Sequence, residues 1–145
     1  MNLDLLHRLG AFRTDAALVL ATDNMDCFAD AFARARASRR RPAPDRPPTL
    51  HRWAAVFDDL LCSSDLGRLK AEDPAGFFGP WLAGRGLGFG DAILVDDRAD
   101  NCAAFECAGG KALRWAIGDD ADAVQSSLAL WLAGPPAQAT RPGAA

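Results

Sequence analysis

The sequence predicts an α/β fold in which a parallel sheet carries helices on both faces. Short apolar runs that are typical of buried strands alternate with segments whose apolar residues recur at helical spacing. The strand runs are continuously apolar rather than alternating, which favours strands that are covered on both sides, as in parallel sheets. The chain has 145 residues, of which 50% are hydrophobic and 24% charged. These values fit one globular domain with its own core.

The predicted elements follow one another in a regular order. An opening helix carries leucines at helical spacing and ends at Gly10, which suits a C-cap. Four strands are predicted, at residues 16–21, 58–62, 92–96 and 112–115. Further helices are predicted at residues 26–37, 50–55, 99–108 and 122–132. Asp73-Pro74 predicts one more helix start, because aspartate caps helices and proline is favoured in the first turn.

Residues 1–134 are therefore predicted to form the domain, with two irregular segments. Residues 39–48 are rich in arginine and proline, which predicts an exposed, partly extended loop. Residues 135–145 are predicted to form a disordered tail. The glycine series from Gly84 to Gly90 precedes a strand instead of following one, which favours a flexible connection over a nucleotide-binding loop.

Charge and composition bear on the kinds of partner. The formal net charge is −3, which argues against a dedicated nucleic-acid-binding protein. We expect the arginine cluster to be a solvated helix end and loop; its members are Arg34, Arg36, Arg39, Arg40, Arg41, Arg46 and Arg52. No apolar run is long enough for a membrane span and no targeting pattern is visible, so the expected location is the cytoplasm. The four cysteines form no Cys-x-x-Cys pair and are expected to be small buried apolar residues.

The strongest functional signal is a pair of adjacent carboxylates, Asp96 and Asp97, at the end of the third predicted strand. Strand ends in open α/β sheets are common ligand sites, and two acids there suit a divalent cation or proton transfer. The alternative is that Asp97 or Asp100 simply caps the following helix. A cap accounts for one acid but not for the pair.

Other polar residues follow the neighbouring strands. The first strand ends in Thr22, Asp23 and Asn24, and the second is followed by Ser63 and then Lys70. A hydroxyl donates to phosphate, a lysine neutralises its charge and carboxylates hold Mg²⁺. The order of these residues therefore indicates a site for a phosphate group and Mg²⁺.

These motifs together resemble the haloacid dehalogenase (HAD) superfamily of hydrolases, most of which are phosphatases. Residues 18–24 (Leu-Val-Leu-Ala-Thr-Asp-Asn) look like its second motif, and residues 57–70 (Phe-Asp-x4-Ser-x3-Gly-x2-Lys) look like its third. Residues 93–101 (Ile-Leu-Val-Asp-Asp-x3-Asn) look like the fourth. The resemblance implies a Rossmannoid parallel sheet and Mg²⁺-dependent hydrolysis of a phosphorylated small molecule.

The resemblance also assigns roles to individual residues. Thr22 and Lys70 would be catalytic and bind the phosphoryl group together with Asp23 and Asn24. Asp96 and Asp97 would bind Mg²⁺. Asn101 and Ser63 would support the site.

The family's first motif, Asp-x-Asp at the end of a central strand, has no counterpart here. The only Asp-x-Asp is Asp120-Ala-Asp122, which comes late in the chain and opens a helix. In the family the first-motif strand lies between the strands predicted at residues 16–21 and 92–96. Its nucleophile is also a metal ligand, so we expect Mg²⁺ to bind this chain alone weakly or not at all, and the chain alone to be inactive.

Two interpretations of this absence remain. The chain is either part of a HAD-like phosphatase whose first motif lies outside these residues, or a HAD-like pseudoenzyme that acts as a binding or interaction domain. In both cases the strands beside the missing one either pair directly or leave an open edge, and an exposed edge favours self-association.

Overall fold

The computed structural model describes residues 3–24, 26–37, 54–116 and 118–134. Its helices are α1 (Leu3–Gly10), α2 (Asp26–Ala37), α3 (Ser63–Leu66), α4 (Pro74–Ala83), α5 (Ala99–Cys107) and α6 (Ala121–Leu132). Its strands are β1 (Val19–Thr22), β2 (Asp59–Cys62), β3 (Ile93–Asp96) and β4 (Lys111–Arg114), and a 3₁₀ turn covers Phe89–Asp91. Residues 54–56 are also helical. The predicted α/β class is confirmed.

The four strands form two separate parallel pairs. β1 pairs with β2, with Val19 opposite Asp59, and β3 pairs with β4, with Ile93 opposite Lys111. Within the described part of the chain, β1 and β3 are not hydrogen-bonded to each other. The sequence left open whether the strands at residues 16–21 and 92–96 pair directly or leave an open edge; among the described residues they do not pair, and the parallel strands form two separate pairs.

One apolar core covers the same face of both pairs. Its buried aromatic centre comes from α4 and α5, through Phe77, Phe78 and Phe105. Val19 and Ala21 of β1 pack against it, and so do Leu94 of β3 and Ala112 of β4. This core packs against both strand pairs, β1–β2 and β3–β4, and holds them side by side.

The opposite face is covered by two cores that share α1. Successive residues of a strand point to opposite faces, so Leu20 of β1 and Val95 of β3 point away from the aromatic core. Leu6 of α1 is buried on the β1 side, and its neighbour Leu5 is buried against α6 on the β3 side. Helix α1 therefore lies across the division between the two strand pairs.

The element boundaries differ from the predictions in a few places. β1 begins three residues late, because residues 11–15 form hydrogen-bonded turns, with Ala16 N donating to Phe12 O at 2.9 Å. Helix α3 was not predicted; it is one turn long and ends at Gly67, whose φ of 64° lies in the left-handed region that glycine favours. The helix at Asp73-Pro74 is confirmed, and the Asp73 side chain accepts a hydrogen bond from Gly76 N at 2.8 Å.

Two predicted segments lie outside the described residues. The arginine- and proline-rich loop at 39–48 and the tail at 135–145 fall there, so these predictions stand untested. The predicted helix at 50–55 is only partly covered, and its described end is helical through residue 56. The glycine series forms turns and the short 3₁₀ segment that lead from α4 into β3, as expected of a connection.

Candidate functional site

The polar residues singled out by sequence gather where β1 and β3 end. β1 is parallel to β2 and β3 is parallel to β4, and Lys70 Nζ contacts the carboxyl ends of both β1 and β3, so these ends lie close together. Thr22 ends β1, Asp96 ends β3, and Lys70 lies in the loop between α3 and α4. Lys70 and Asp96 lie together as predicted, whereas the Thr22 hydroxyl and the exposed Asp97 have no described contact with either of them.

Lys70 is the centre of the arrangement. Its Nζ lies 2.5 Å from Asp96 Oδ2, 3.4 Å from the backbone oxygen of Ala21 and 3.9 Å from Asp23 Oδ2. Its backbone N also donates to Asp23 Oδ1 at 3.2 Å. Lys70 is only 6% exposed. One buried ammonium therefore connects the ends of the two strand pairs across the division in the sheet.

Asp96 receives hydrogen bonds at both carboxylate oxygens. Oδ1 accepts from Asn101 Nδ2 at 2.9 Å and from the backbone N of Arg98 at 3.0 Å, while Oδ2 faces Lys70. Burial by itself raises the pKa of Asp96, but these three donors and the charge of Lys70 outweigh it and hold the pKa below its ordinary value of 3.8. Asp96 is therefore an ionised, well-paired carboxylate at neutral pH.

The other acids near Asp96 have different environments. Asp97 is exposed, and only its backbone oxygen has a described partner, Arg114 Nε at 3.3 Å. Asp100 pairs with the Arg98 guanidinium through two hydrogen bonds, which lower its pKa to about 2. The N-cap position of α5 is occupied by Arg98, without a side-chain cap, so the capping role considered for Asp97 or Asp100 is not found.

Asn101 is the most deeply buried polar side chain of the site, at 2% exposure. Its amide nitrogen holds Asp96, but its Oδ1 has no hydrogen-bond partner within the described residues. A buried acceptor without a donor costs about 1–3 kcal/mol. The edge of the site beside Asp96 therefore lacks one donor.

Asp23 and Asn24, which follow β1, border an open cleft. Thr22 Oγ1 accepts from Asn24 Nδ2 at 2.7 Å, and Ser63 Oγ donates to Asn24 O at 3.3 Å. The cleft has a volume of about 390 Å³ and is lined by both polar and charged groups, among them Asp23, Asn24, Ser63, Ser64, Arg68 and Glu72. Sequence reasoning missed Arg68 and Glu72, because a single charged residue in a loop carries no pattern.

The residues at hand do not form a magnesium site as they are arranged. Among the described residues, no group of three or more His, Cys, Asp or Glu side chains surrounds a common point. Asp96, one of the two expected ligands, is already held by three hydrogen-bond donors. Mg²⁺ needs near-octahedral oxygen ligation and gives up its waters reluctantly. The present geometry is that of an ion pair.

The cysteines agree only in part with the expectation. Cys62 and Cys102 are buried, whereas Cys27 and Cys107 are exposed, and all four are free. Cys62 Sγ lies 3.4 Å from Asn24 O, so it supports the loop after β1. The two exposed thiols lie on the solvent faces of α2 and α5, a placement that composition alone does not indicate.

No family model, curated protein or solved structure matches this chain. No helix within the described ranges has the length and apolar character needed to cross a membrane.

Proposed function

We propose that this chain is part of the core of a HAD-like hydrolase, a Mg²⁺-dependent phosphomonoesterase by descent, and that the isolated chain is inactive because it lacks the nucleophilic aspartate. The observation that carries the proposal is the position of Lys70. The lysine of the third-motif-like segment reaches both the end of β1, which carries the second-motif-like Thr22, and Asp96 of the fourth-motif-like segment. Three sequence segments that resemble successive motifs of one family thus meet at one point.

The chemistry of these groups suits binding of a phosphoryl group. Lys70 would offset phosphate charge, and the Thr22 hydroxyl would donate to a phosphoryl oxygen, with Asp23, Asn24 and Ser63 shaping the approach. Asp96 orients Lys70 through their 2.5 Å contact. Asp96 and Asp97 would be two of the acids of the family's magnesium site. In this chain Asp96 instead forms an ion pair with Lys70.

The step of phosphate hydrolysis that this chain cannot perform is the formation of the covalent intermediate. Hydrolysis through an aspartyl-phosphate needs a carboxylate nucleophile aimed at phosphorus. The described acids nearest Lys70 are Asp96 and Asp23, and both are held by hydrogen bonds at this site. The substrate would be a phosphorylated small molecule, and the cytoplasm remains the expected location.

A binding function without catalysis is the second candidate. Both carboxylate oxygens of Asp96 already accept hydrogen bonds, and one of them pairs with Lys70. This favours the second candidate, because an acid paired with a lysine contributes to stability rather than to metal binding. The two candidates differ in what lies beside this chain in its gene. A strand ending in Asp-x-Asp in the reading frame before Met1 would support the hydrolase and contradict the pseudoenzyme.

The activity of the chain itself is tested with p-nitrophenyl phosphate and Mg²⁺. We expect no release of p-nitrophenol above the uncatalysed rate at any magnesium concentration. Turnover that Asp96→Asn abolishes would contradict the predicted inactivity. The control is Asp122→Asn, which removes an acid on α6, outside the site.

A further inference from the structure

The cleft that Asp23 and Asn24 border lies directly beside Lys70. Asp23 lines the cleft, and its Oδ2 is 3.9 Å from Lys70 Nζ. Leu69, the residue before Lys70, lines the cleft as well. A group held at Lys70 and a second group that lies in the cleft can therefore belong to one small molecule.

The lining of the cleft suits a small polar ligand. Binding sites for small molecules usually have volumes of about 300–1,000 Å³ and a mostly apolar lining. This cleft has a volume of about 390 Å³, but of the described residues that line it only Leu69 carries an apolar side chain. The other side chains offer hydroxyl, amide, guanidinium and carboxylate groups. Hydrogen bonds and charge, rather than burial of apolar surface, therefore determine what binds there.

Two charged residues in the lining differ in whether their charge is matched. Arg68 Nη1 donates to Asp73 Oδ2, so the positive charge of Arg68 already has a carboxylate beside it. Glu72 is exposed, and its carboxylate has no hydrogen bond or ion pair within the described part of the chain. The unmatched charge in this wall of the cleft is therefore the negative charge of Glu72.

Carboxylates outnumber cations around the cleft and Lys70. The two cations and four carboxylates there are Arg68, Lys70, Asp23, Asp73, Asp96 and Glu72. Each cation has one close carboxylate partner, Asp96 for Lys70 and Asp73 for Arg68, which leaves the charges of Asp23 and Glu72 in the cleft. A ligand group in the cleft is therefore repelled if it is anionic and attracted if it is cationic.

We propose that the cleft is a subsite for a protonated amino group, so that the molecule bound here is the phosphate monoester of a small amino alcohol. This inference rests on the proposed function for the phosphate group, which Lys70 would hold. The amino group would lie against Glu72 and Asp23, with the Ser64 hydroxyl as a further acceptor. An ammonium has three N–H donors and forms its strongest hydrogen bonds with carboxylates. A neutral group of the same size would lack that charge and bind more weakly.

The subsite is tested by binding, because the isolated chain is predicted to be inactive. The full ¹⁵N-labelled chain is titrated with 2-aminoethyl phosphate and with propyl phosphate, which has a methyl group in place of the ammonium. At about pH 8 both phosphates are dianionic and the amine is protonated, so the two probes differ by one positive charge. We expect both to shift the backbone amide signals of Asp23 and Lys70. At about 20 mM salt, 2-aminoethyl phosphate should bind about fivefold more tightly and should also shift the amide signal of Glu72.

A charge-removing variant and a matched control follow the preference between the two probes. Glu72→Gln keeps the shape of the side chain, so it should reduce the preference to less than about twofold without weakening propyl phosphate binding. Glu106→Gln removes an exposed acid of α5 that does not line the cleft, and it should leave the preference unchanged. Raising the salt to about 0.5 M should reduce the preference of the wild type, because salt screens exposed charges.

Equal affinity for the two phosphates, or a preference that survives Glu72→Gln, would overturn the subsite. If propyl phosphate binds beside Lys70 but no preference exists, only the subsite fails and the proposed phosphate site stands. A third probe, 2-aminoethanol, distinguishes the opposite case. If 2-aminoethanol binds the cleft as tightly as its phosphate ester and propyl phosphate shifts no amide of the site, the amino-group subsite is supported and the phosphate site is contradicted. Absence of binding by all three probes would overturn both.

Discussion

Replacing Lys70 by methionine tests whether the buried ion pair holds the two strand pairs together. The Lys70 and Asp96 side chains are 8% and 7% exposed, so the methionine leaves a buried carboxylate without its cation. Breaking a buried pair in this way costs about 3–5 kcal/mol. Asp96 keeps the donors Asn101 Nδ2 and Arg98 N, so we expect a loss near the lower end, about 3 kcal/mol.

Urea unfolding followed by circular dichroism at pH 7 measures this loss. With a slope of about 2 kcal/mol per molar urea, the midpoint should fall by about 1.5 M. Asp96→Asn and the double variant complete a double-mutant cycle, and the double variant should lose less than the sum of the two single losses. A loss below about 1 kcal/mol for Lys70→Met, or additive losses, would refute the ion pair as a link between the halves.

The stability lost in Lys70→Met should depend on pH in a direction that the pKa of Asp96 determines. The pKa of Asp96 lies below 3.8 in the folded chain, so its pairing contributes stability above the unfolded pKa, and this contribution is lost as the pH falls through the folded value. Lys70→Met removes that contribution. The difference in unfolding free energy between the wild type and the variant should therefore stay close to its value at pH 7 until the pH approaches 3.8 and shrink as the pH falls below 3.8, and a difference that stays constant below 3.8 would contradict the assignment.

Two further predictions concern other parts of the site and core. Asp100 should titrate with a pKa of about 2 in a carbon-detected NMR titration, and Arg98→Gln should raise this pKa toward 3.8; an unchanged value would contradict the pairing. Gly110→Ala should destabilise the chain by about 1–3 kcal/mol, because the new Cβ would lie 2.2 Å from the buried Phe105 ring. The matched change Gly79→Ala meets no atom within 4 Å and should be neutral or stabilising by up to about 1 kcal/mol in the same unfolding assay.

Much of the fold follows from local patterns. The bounds of α2 were predicted to the residue, and the Asp73 cap was correct, because periodicity and capping are local properties. The carboxyl ends of β2 and β3 are as predicted, and those of β1 and β4 differ by one residue, since polar residues follow the apolar runs. Helix α3 was missed because one helical turn is too short to show a period.

The arrangement of the site was predictable only in part. The order of Thr22, Lys70 and Asp96 indicated that they meet, because parallel strands bring their ends to one edge. The saturation of Asp96 by three donors was not visible, since it depends on the backbone of Arg98 and on burial of Asn101. Whether β1 and β3 pair directly could not be predicted either, because an apolar run does not indicate which strands lie next to it in the sheet.

The contact between α1 and α6 has a consequence for synthesis of the chain. Arg8 Nη1 donates to Gln125 Oε1 at 3.0 Å across 117 positions, and Leu5 is buried in the core that α6 completes. At a translation rate of 5–20 residues per second, α1 would wait about 6–23 s before α6 is made. During that time the leucines of α1 lack the residues of α6 that bury them in the folded chain. Helix α1 therefore leaves the ribosome well before the helix that completes its core, and it is a natural segment for a chaperone to hold.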